Sequence, residues 1–300
     1  MSADRPTGRP SEQSPQTPTP KGFAEISRGE AWSQQTSPQR VSRGRLERIR
    51  EGMTETDQGI VETLASVKVA TSRQLQLVHV TEGSPLANAR RARRRLEHLC
   101  SERVLVRLPR RVGGLAGGSA GAVYALDTAG QRLTGRARAG TRKPWVPQTM
   151  HLRHSLAITE TYVELRLAEQ SGLLRLDQWD TEPAAWRHHT GAWGSVLVKP
   201  DAYVRLSIGG DELSAFLEVD YATESLPVIM RKADIYWRYY RAGTEQARHG
   251  YFPEVLWLVP DATRYDRLVA AFAKLPPEQW PLHRVALHAD LVRTMVAVPP

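Results

Sequence analysis

Residues Lys199 to Asp220 read K-P-D-A-Y-V-R-L-S-I-G-G-D-E-L-S-A-F-L-E-V-D. Two alternating runs flank Gly209-Gly210, a dipeptide suited to the primed two-residue turn of a β-hairpin. Such a turn sets Ile208 opposite Asp211, Asp201 opposite Glu218 and Lys199 opposite Asp220. Side chains alternate along each strand. One face is then Ala202, Val204, Leu206 and Ile208 against Leu213, Ala215, Leu217 and Val219, wholly apolar and destined for a core. The other carries Lys199, Asp201, Tyr203, Arg205, Ser207, Glu212, Ser214, Phe216, Glu218 and Asp220. A one-residue slip would mix the two sets, so the pattern itself specifies the register.

The register has a chemical consequence. Opposed residues have Cβ atoms about 4.5–5.5 Å apart, so Asp201, Glu218 and Asp220 are expected to crowd at one end of the hairpin. Carboxylates that close repel, and protons, a cationic side chain or a divalent metal must relieve them. Oxygen-rich clusters of this kind suit Mg²⁺ or Mn²⁺. A Lys199–Asp220 surface pair beside two solvated acids is the competing reading, and the pattern alone leaves both open.

The chain has 300 residues, enough for about two domains. Its formal charge of +9 is unevenly placed. Residues 1–53 hold 9 basic and 6 acidic groups, residues 54–136 hold 13 and 7, and residues 137–300 hold 19 of each. The excess lies in the first half, which points to a polyanion-binding module followed by a neutral one. Cys100 is the only cysteine, so neither an intramolecular disulfide nor a cysteine-based zinc site can form. No apolar run approaches membrane-spanning length and the start lacks a signal peptide's apolar core, so a cytoplasmic protein with no membrane partner is expected.

Residues 1–44 are rich in Pro, Ser, Thr, Gln and Gly and read as a disordered tail. Arg43, Arg45, Arg48 and Arg50 close it as a basic run on a short helix. Residues 45–135 form the first expected domain. Thr54-x-x-Asp57 caps a helix with Ile60, Val61, Leu64 and Val67 on one face, and Thr71-x-x-Gln74 caps a second. Ser84-Pro85 supplies an N-cap and an N1 proline for a third. Its core stripe is Ala89, Ala92, Leu96 and Leu99, and Arg90, Arg91, Arg94 and His98 lie opposite. Val104–Leu108 and Ala122–Leu126 are expected strands around a glycine-laden loop with Arg107, Arg110 and Arg111 at its foot. This is the pattern of a winged helix-turn-helix for double-stranded DNA, with the third helix in the major groove and the wing arginines on phosphates. Small helical triplets also mediate dimerisation, and a homodimer is the alternative use of such a module.

Residues 136–149 read as a basic Gly/Pro linker, and 150–300 as the second domain. Its expected elements are a helix over 151–170, strands near 173–177 and 193–198, the hairpin, a helix over 226–242, a strand over 254–259, a helix over 263–274 and a strand over 284–288. Tyr236, Tyr239 and Tyr240 in the aromatic-rich helix suit a core or interface, with base stacking as the functional alternative. Glu160 reads as a solvated flank. His188-His189 lacks a third histidine at helical spacing, which disfavours a tyrosine-relaxase metal site.

The α-β-β-β-α-β-α-β order, with Pro200-Asp201 and Glu218-Val219-Asp220 on its second and third strands, resembles the PD-(D/E)xK nucleases, an α/β restriction-endonuclease-like fold. The resemblance implies Mg²⁺ on the two acids and a water-activating lysine two positions after the second. Asp220 occupies that lysine's place, so Lys199 across the hairpin or Lys232 from the next helix would have to replace it. Lys232-x-x-x-Tyr236 resembles the Gln-x-x-x-Tyr helix of some relatives. From about Thr54 onward, the helical module, His154-x-Leu156, Lys199-Pro200-Asp201-Ala202 and Glu218-Val219-Asp220-x-x-Thr223-Glu224 resemble the replication-relaxation family of plasmids and integrative elements. That resemblance implies a role in plasmid replication and DNA relaxation. It puts functional weight on His154, Asp201, Glu218, Asp220 and Lys232, with Thr223 and Glu224 behind them. Two functions follow: a metal-dependent DNA-nicking enzyme, or a non-catalytic regulator whose nuclease-like domain dimerises or recruits a partner.

Overall fold

Local signals build the first half. Ser42 caps helix α1 (Arg43–Gly52), and Thr54 with Asp57 closes a reciprocal capping box at the start of α2 (Glu55–Val67). After β1 (Val69–Thr71), the same device, Thr71 with Gln74, starts α3 (Ser72–His79). Ser84 and Pro85 open α4 (Pro85–Ser101). Strands β2 (Leu105–Arg107) and β3 (Val123–Leu126) follow, and Asp127 caps α5 (Thr128–Leu133). The strands make an antiparallel sheet of order β1-β3-β2. Ile60, Leu64, Leu75, Leu96, Leu99 and Leu105 meet in one core beneath it. The computed structural model describes residues 41–108, 121–137, 149–191, 194–222 and 224–297. Arg110 and Arg111, Trp193, Thr223, most of the expected tail and most of the expected linker lie outside the described residues.

The second half is a mixed α/β unit. It comprises α6 (Thr149–Gln170), β4 (Arg175–Thr181), β5 (Arg187–Gly191), β6 (Gly194–Val198), β7 (Ala202–Ile208), β8 (Asp211–Val219), α7 (Leu226–Arg241), α8 (Thr244–His249), β9 (Glu254–Val259), α9 (Ala262–Phe272), β10 (His283–Leu287) and α10 (Leu291–Val296). Five strands form a sheet of order β10-β9-β8-β7-β4. β8, β9 and β10 are parallel, and β7 pairs antiparallel with β8 and β4. The hairpin has the expected register, from Ile208 opposite Asp211 to Ala202 opposite Leu217. Gly209 (φ 59°) and Gly210 (φ 104°) both take the positive φ that a primed turn requires.

Both hairpin faces are buried. Ala202, Val204, Leu206, Ala215 and Leu217 pack with Ala157, Ile158, Leu165, Leu291 and Met295 of α6 and α10. Tyr203 and Phe216 pack on the other side with Ile229, Ala233, Tyr236 and Tyr239 of α7 and Leu268 and Phe272 of α9. Helices on both faces make three layers, which brings the polar ends of β7 and β8 between α6 and α7.

α6 also faces the first half, since Tyr162 and Val163 belong to that core. Thr159 Oγ1 donates to the Val69 carbonyl (2.6 Å), Gln74 Nε2 to Glu160 (2.6 Å), Gln170 Nε2 to the Val78 carbonyl (2.9 Å) and Thr181 Oγ1 to the Ser66 carbonyl (2.8 Å). Glu160, expected as a solvated flank, is thus an acceptor for Gln74. Val41, placed by sequence in the tail, is buried, and its carbonyl accepts from Arg132. An isolated valine among polar residues carries no local signal of the core it reaches. The segment near residue 196 does not join the main sheet but pairs with β5 as a two-stranded ribbon.

Among the described residues, no helix is long and apolar enough to cross a membrane.

Candidate functional site: an acid, lysine and histidine cluster

Asp201 ends the segment entering β7, and its backbone N–H donates to the carbonyl of Leu217 (3.0 Å), the residue that Ala202 opposes. That places it beside Glu218, the penultimate residue of β8. His154, near the start of α6, brings Nε2 to 2.9 Å from Asp201 Oδ1. The Val219 N–H donates to Asp201 Oδ2 (2.7 Å). From α7, Lys232 Nζ donates to Glu218 Oε2 (2.9 Å), and one turn later the Tyr236 hydroxyl donates to Glu218 Oε1 (2.7 Å). The i, i+4 spacing sets the two donors on one helix face, so a single helix holds both oxygens. Glu224 closes the cluster, 3.1 Å from Lys232.

Glu218 is only 2% exposed and Asp201 8%. The outer wall is open, with the side chains of His154, Lys232 and Glu224 exposed by 38%, 29% and 37%. Burial, and next the charge of Asp201, push the Glu218 carboxyl up to about 7, against the pull of Lys232. Burial works to lower the Lys232 ammonium, but the carboxylates of Glu218 and Asp201 outweigh it and hold it above its ordinary range. The bond to Asp201 raises the His154 imidazole above its ordinary 6.5. Lys232 therefore stays a cation, whereas Glu218 can exchange a proton near neutrality.

The structure brings together four of the six residues expected to carry chemistry: His154, Asp201, Glu218 and Lys232. It separates the other two. Lys199 is exposed and places Nζ 4.7 Å from the centre of the Trp186 ring, a cation–π contact. Pairing stops at Ala202, so the expected Lys199–Asp220 opposition does not form. Asp220 instead turns to Arg264 of α9, with Nε and Oδ2 2.5 Å apart and both residues buried. Arg264 Nη2 also donates to the Glu224 carbonyl (2.6 Å), and Asp220 Oδ1 accepts from the Ala222 N–H (2.9 Å). The three acids are consequently not one cluster: His154, Lys232 and Arg264 serve Asp201, Glu218 and Asp220 respectively. Among the described residues, no group of three or more His, Cys, Asp and Glu side chains is arranged to hold a metal. Arg264 had no signal in the sequence, because its partner lies 44 positions away.

A pH dependence follows from Glu218. Its folded pKa of about 7 lies above its ordinary 4.5, so the folded state binds more protons than the unfolded state between these values. This contribution to stability is full below about pH 4.5 and is lost as pH rises through 7. Glu218→Gln should flatten the decline in melting temperature between pH 5 and 8 relative to wild type. Parallel slopes would show that Glu218 is already ionised in the folded protein.

In the first half, Arg90, Arg94 and His98 are exposed on one side of α4, and Arg93 joins them. Arg91 is half-buried and donates to Asn88 Oδ1 (2.7 Å). Arg95 is committed to the buried Asp57 of α2 (Nε to Oδ1, 2.8 Å). Arg107 is exposed at the end of β2.

A profile described as replication-relaxation matches residues 61–255, which span the α4 arginines, His154, Asp201, Glu218 and Lys232. No curated protein matches the chain. Among solved structures, the restriction endonuclease FokI bound to DNA is similar over 79% of this chain at 11% identity, with a TM-score of 0.24. The matched region is 43% of that chain, less than half its length.

Proposed function

Because this chain belongs to the replication-relaxation family, we propose that it binds double-stranded DNA of a mobile element and cuts one strand during replication and relaxation. The observation that carries the reading is the convergence of Asp201, Glu218, Lys232 and His154 from β7, β8, α7 and α6. Two carboxylates beside one lysine are what metal-assisted phosphodiester hydrolysis needs, and the partly exposed His154 and Lys232 leave an approach for a phosphate.

The donor set fits a magnesium or manganese ion of the kind that binds one or two carboxylates and keeps water and phosphate as its other ligands. Each carboxylate oxygen has a second lone pair beyond the bond it accepts. Asp201 and Glu218 would hold the ion, while Asp220 is committed to Arg264. A bound ion would polarise the phosphate and acidify water. Lys232, fixed as a cation, neutralises charge on the phosphoryl oxygens. His154 accepts or returns a proton on the open side, oriented by Asp201. Tyr236 keeps Glu218 aimed at the site.

DNA is held by a winged helix made of α2, α3, α4 and the β1-β3-β2 sheet, with α4 in the major groove. Its exposed Arg90 and Arg94 support this reading, as does the +6 carried by residues 54–136. Arg90→Ala and Arg94→Ala should each weaken duplex binding and lower the slope of log affinity against log salt by about 1. Fluorescence anisotropy across a salt series measures this, and unchanged slopes would remove α4 from the interface.

The decisive experiment is cleavage of supercoiled plasmid in Mg²⁺ and in Mn²⁺ by wild type, Asp201→Asn and Glu218→Gln. Nicked product from wild type alone is expected. A second reading, a non-catalytic DNA-binding regulator, is favoured by the basic side chains His154, Lys232 and Arg264 already engaging all three acids. Absence of cleavage on DNA shown to be bound, together with no metal binding by calorimetry, would establish that reading instead.

A further inference from the structure

α7 presents two faces. Ile229, Ala233, Tyr236 and Tyr239 are buried against the sheet, and Lys232 reaches Glu218. The opposite face carries Arg231, Asp234, Arg238 and Arg241, all exposed. Trp237 and Tyr240 run along its flank with their rings stacked, the centroids 5.4 Å apart and the planes 16° from parallel. Arg238 is matched by Asp234, 2.5 Å away. Among the described residues, no acid forms an ion pair with Arg231 or Arg241, and the Arg231 side chain donates only to the Pro227 carbonyl (3.3 Å).

The other large aromatics of this helix, Tyr236 and Tyr239, are 1% exposed. Tyr240 is 38% exposed, and its ring also meets Phe252 in a T-shaped contact (centroids 5.4 Å). The stacked pair thus offers its remaining ring surface to solvent on the flank of the face that carries Arg231 and Arg241, two cations without acidic partners. Ring faces interleaved with guanidinium groups match one chemistry closely: unpaired bases that stack and phosphates that carry charge. In duplex DNA the base faces are already stacked on each other. An apolar protein partner would leave the arginines unmatched.

We propose that the outer face of α7 binds single-stranded DNA, with bases on Trp237 and Tyr240 and phosphates on Arg231 and Arg241. Nine residues separate Lys232 from Arg241, a rise of about 14 Å along the helix. A strand on this face would run along the side of the helix turned away from Glu218, so its binding does not depend on whether the acid cluster cuts.

The test is fluorescence anisotropy of the full chain with a labelled oligothymidine of about twenty nucleotides, longer than a typical single-strand site, against a labelled hairpin duplex. Arg231→Glu/Arg241→Glu should weaken oligothymidine binding at least ten-fold and leave duplex binding within two-fold. Trp237→Ala/Tyr240→Ala should do the same. Arg90→Ala/Arg94→Ala should show the reverse pattern. The arginine changes are on solvent-facing positions, and matching thermal melts would confirm an intact fold. Three outcomes would overturn the proposal: no affinity of wild type for the oligonucleotide, unchanged binding by the arginine variant, or equal loss of both DNA forms. Because binding is read without cleavage, an inactive acid cluster would not produce any of them.

Discussion

Arg264→Ala is expected to destabilise the protein by about 3–5 kcal/mol, because it strands a buried carboxylate. In a chain of this size that corresponds to a fall in melting temperature of roughly 10 °C. Asp220 and Arg264 are 6% and 7% exposed, so water cannot replace the lost guanidinium. The same change frees the Glu224 carbonyl and loosens the segment that delivers Glu224 to Lys232. Asp220→Asn/Arg264→Ala should recover part of the loss, since the double variant leaves no buried charge. A decrease below 1 kcal/mol for the single variant, by denaturant or thermal unfolding, would mean that Asp220 is solvated and the pair is not a structural clamp.

Lys232→Met should abolish most plasmid cleavage, with a loss of about 10²–10³-fold if the lysine neutralises phosphoryl charge. Duplex binding through α4 should be unchanged. Lys199→Ala is the matched control. Lys199 rests on Trp186 and touches neither acid, so cleavage should stay within about two-fold of wild type, a surface-change effect. The pair of variants separates the two lysines that could replace the one missing after Glu218. Retained activity in Lys232→Met with loss in Lys199→Ala would reverse the assignment. Lys232→Met also removes the lowering influence on Glu218, whose carboxyl should then titrate higher still. Glu218→Gln in the same background should consequently restore stability above neutral pH.

Much of this architecture was legible locally. The alternation around Gly209-Gly210 specified the hairpin register because each slip would bury half the polar face. Reciprocal capping boxes marked the starts of α2 and α3, and Pro85 marked α4. Elements with weaker periodicity were missed or displaced. β5 and the short helices α8 and α10 had no strong pattern, and the edge strand β4 begins at Arg175, two residues past its expected start. Short elements draw their stability from tertiary packing more than from propensity.

The site divides in the same way. Asp201, Glu218, Lys232 and His154 were identifiable from motif order and from a resemblance to a family. Which acid meets which cation was not. Alternation along β8 places Glu218 and Asp220 on one face, and pattern alone predicts that they share a neighbourhood. The two are separated by helices that arrive later in the chain: α7 brings Lys232 and Tyr236 to Glu218, and α9 brings Arg264 to Asp220. Sequence by itself determined the alternating strands, the capped helices, the arginine-rich face of α4 and the acids at the hairpin's open end, because each follows from residues a few positions apart. The tertiary structure alone decided that these acids are divided among three basic side chains, since a buried charge takes the partner that packing brings within hydrogen-bond reach.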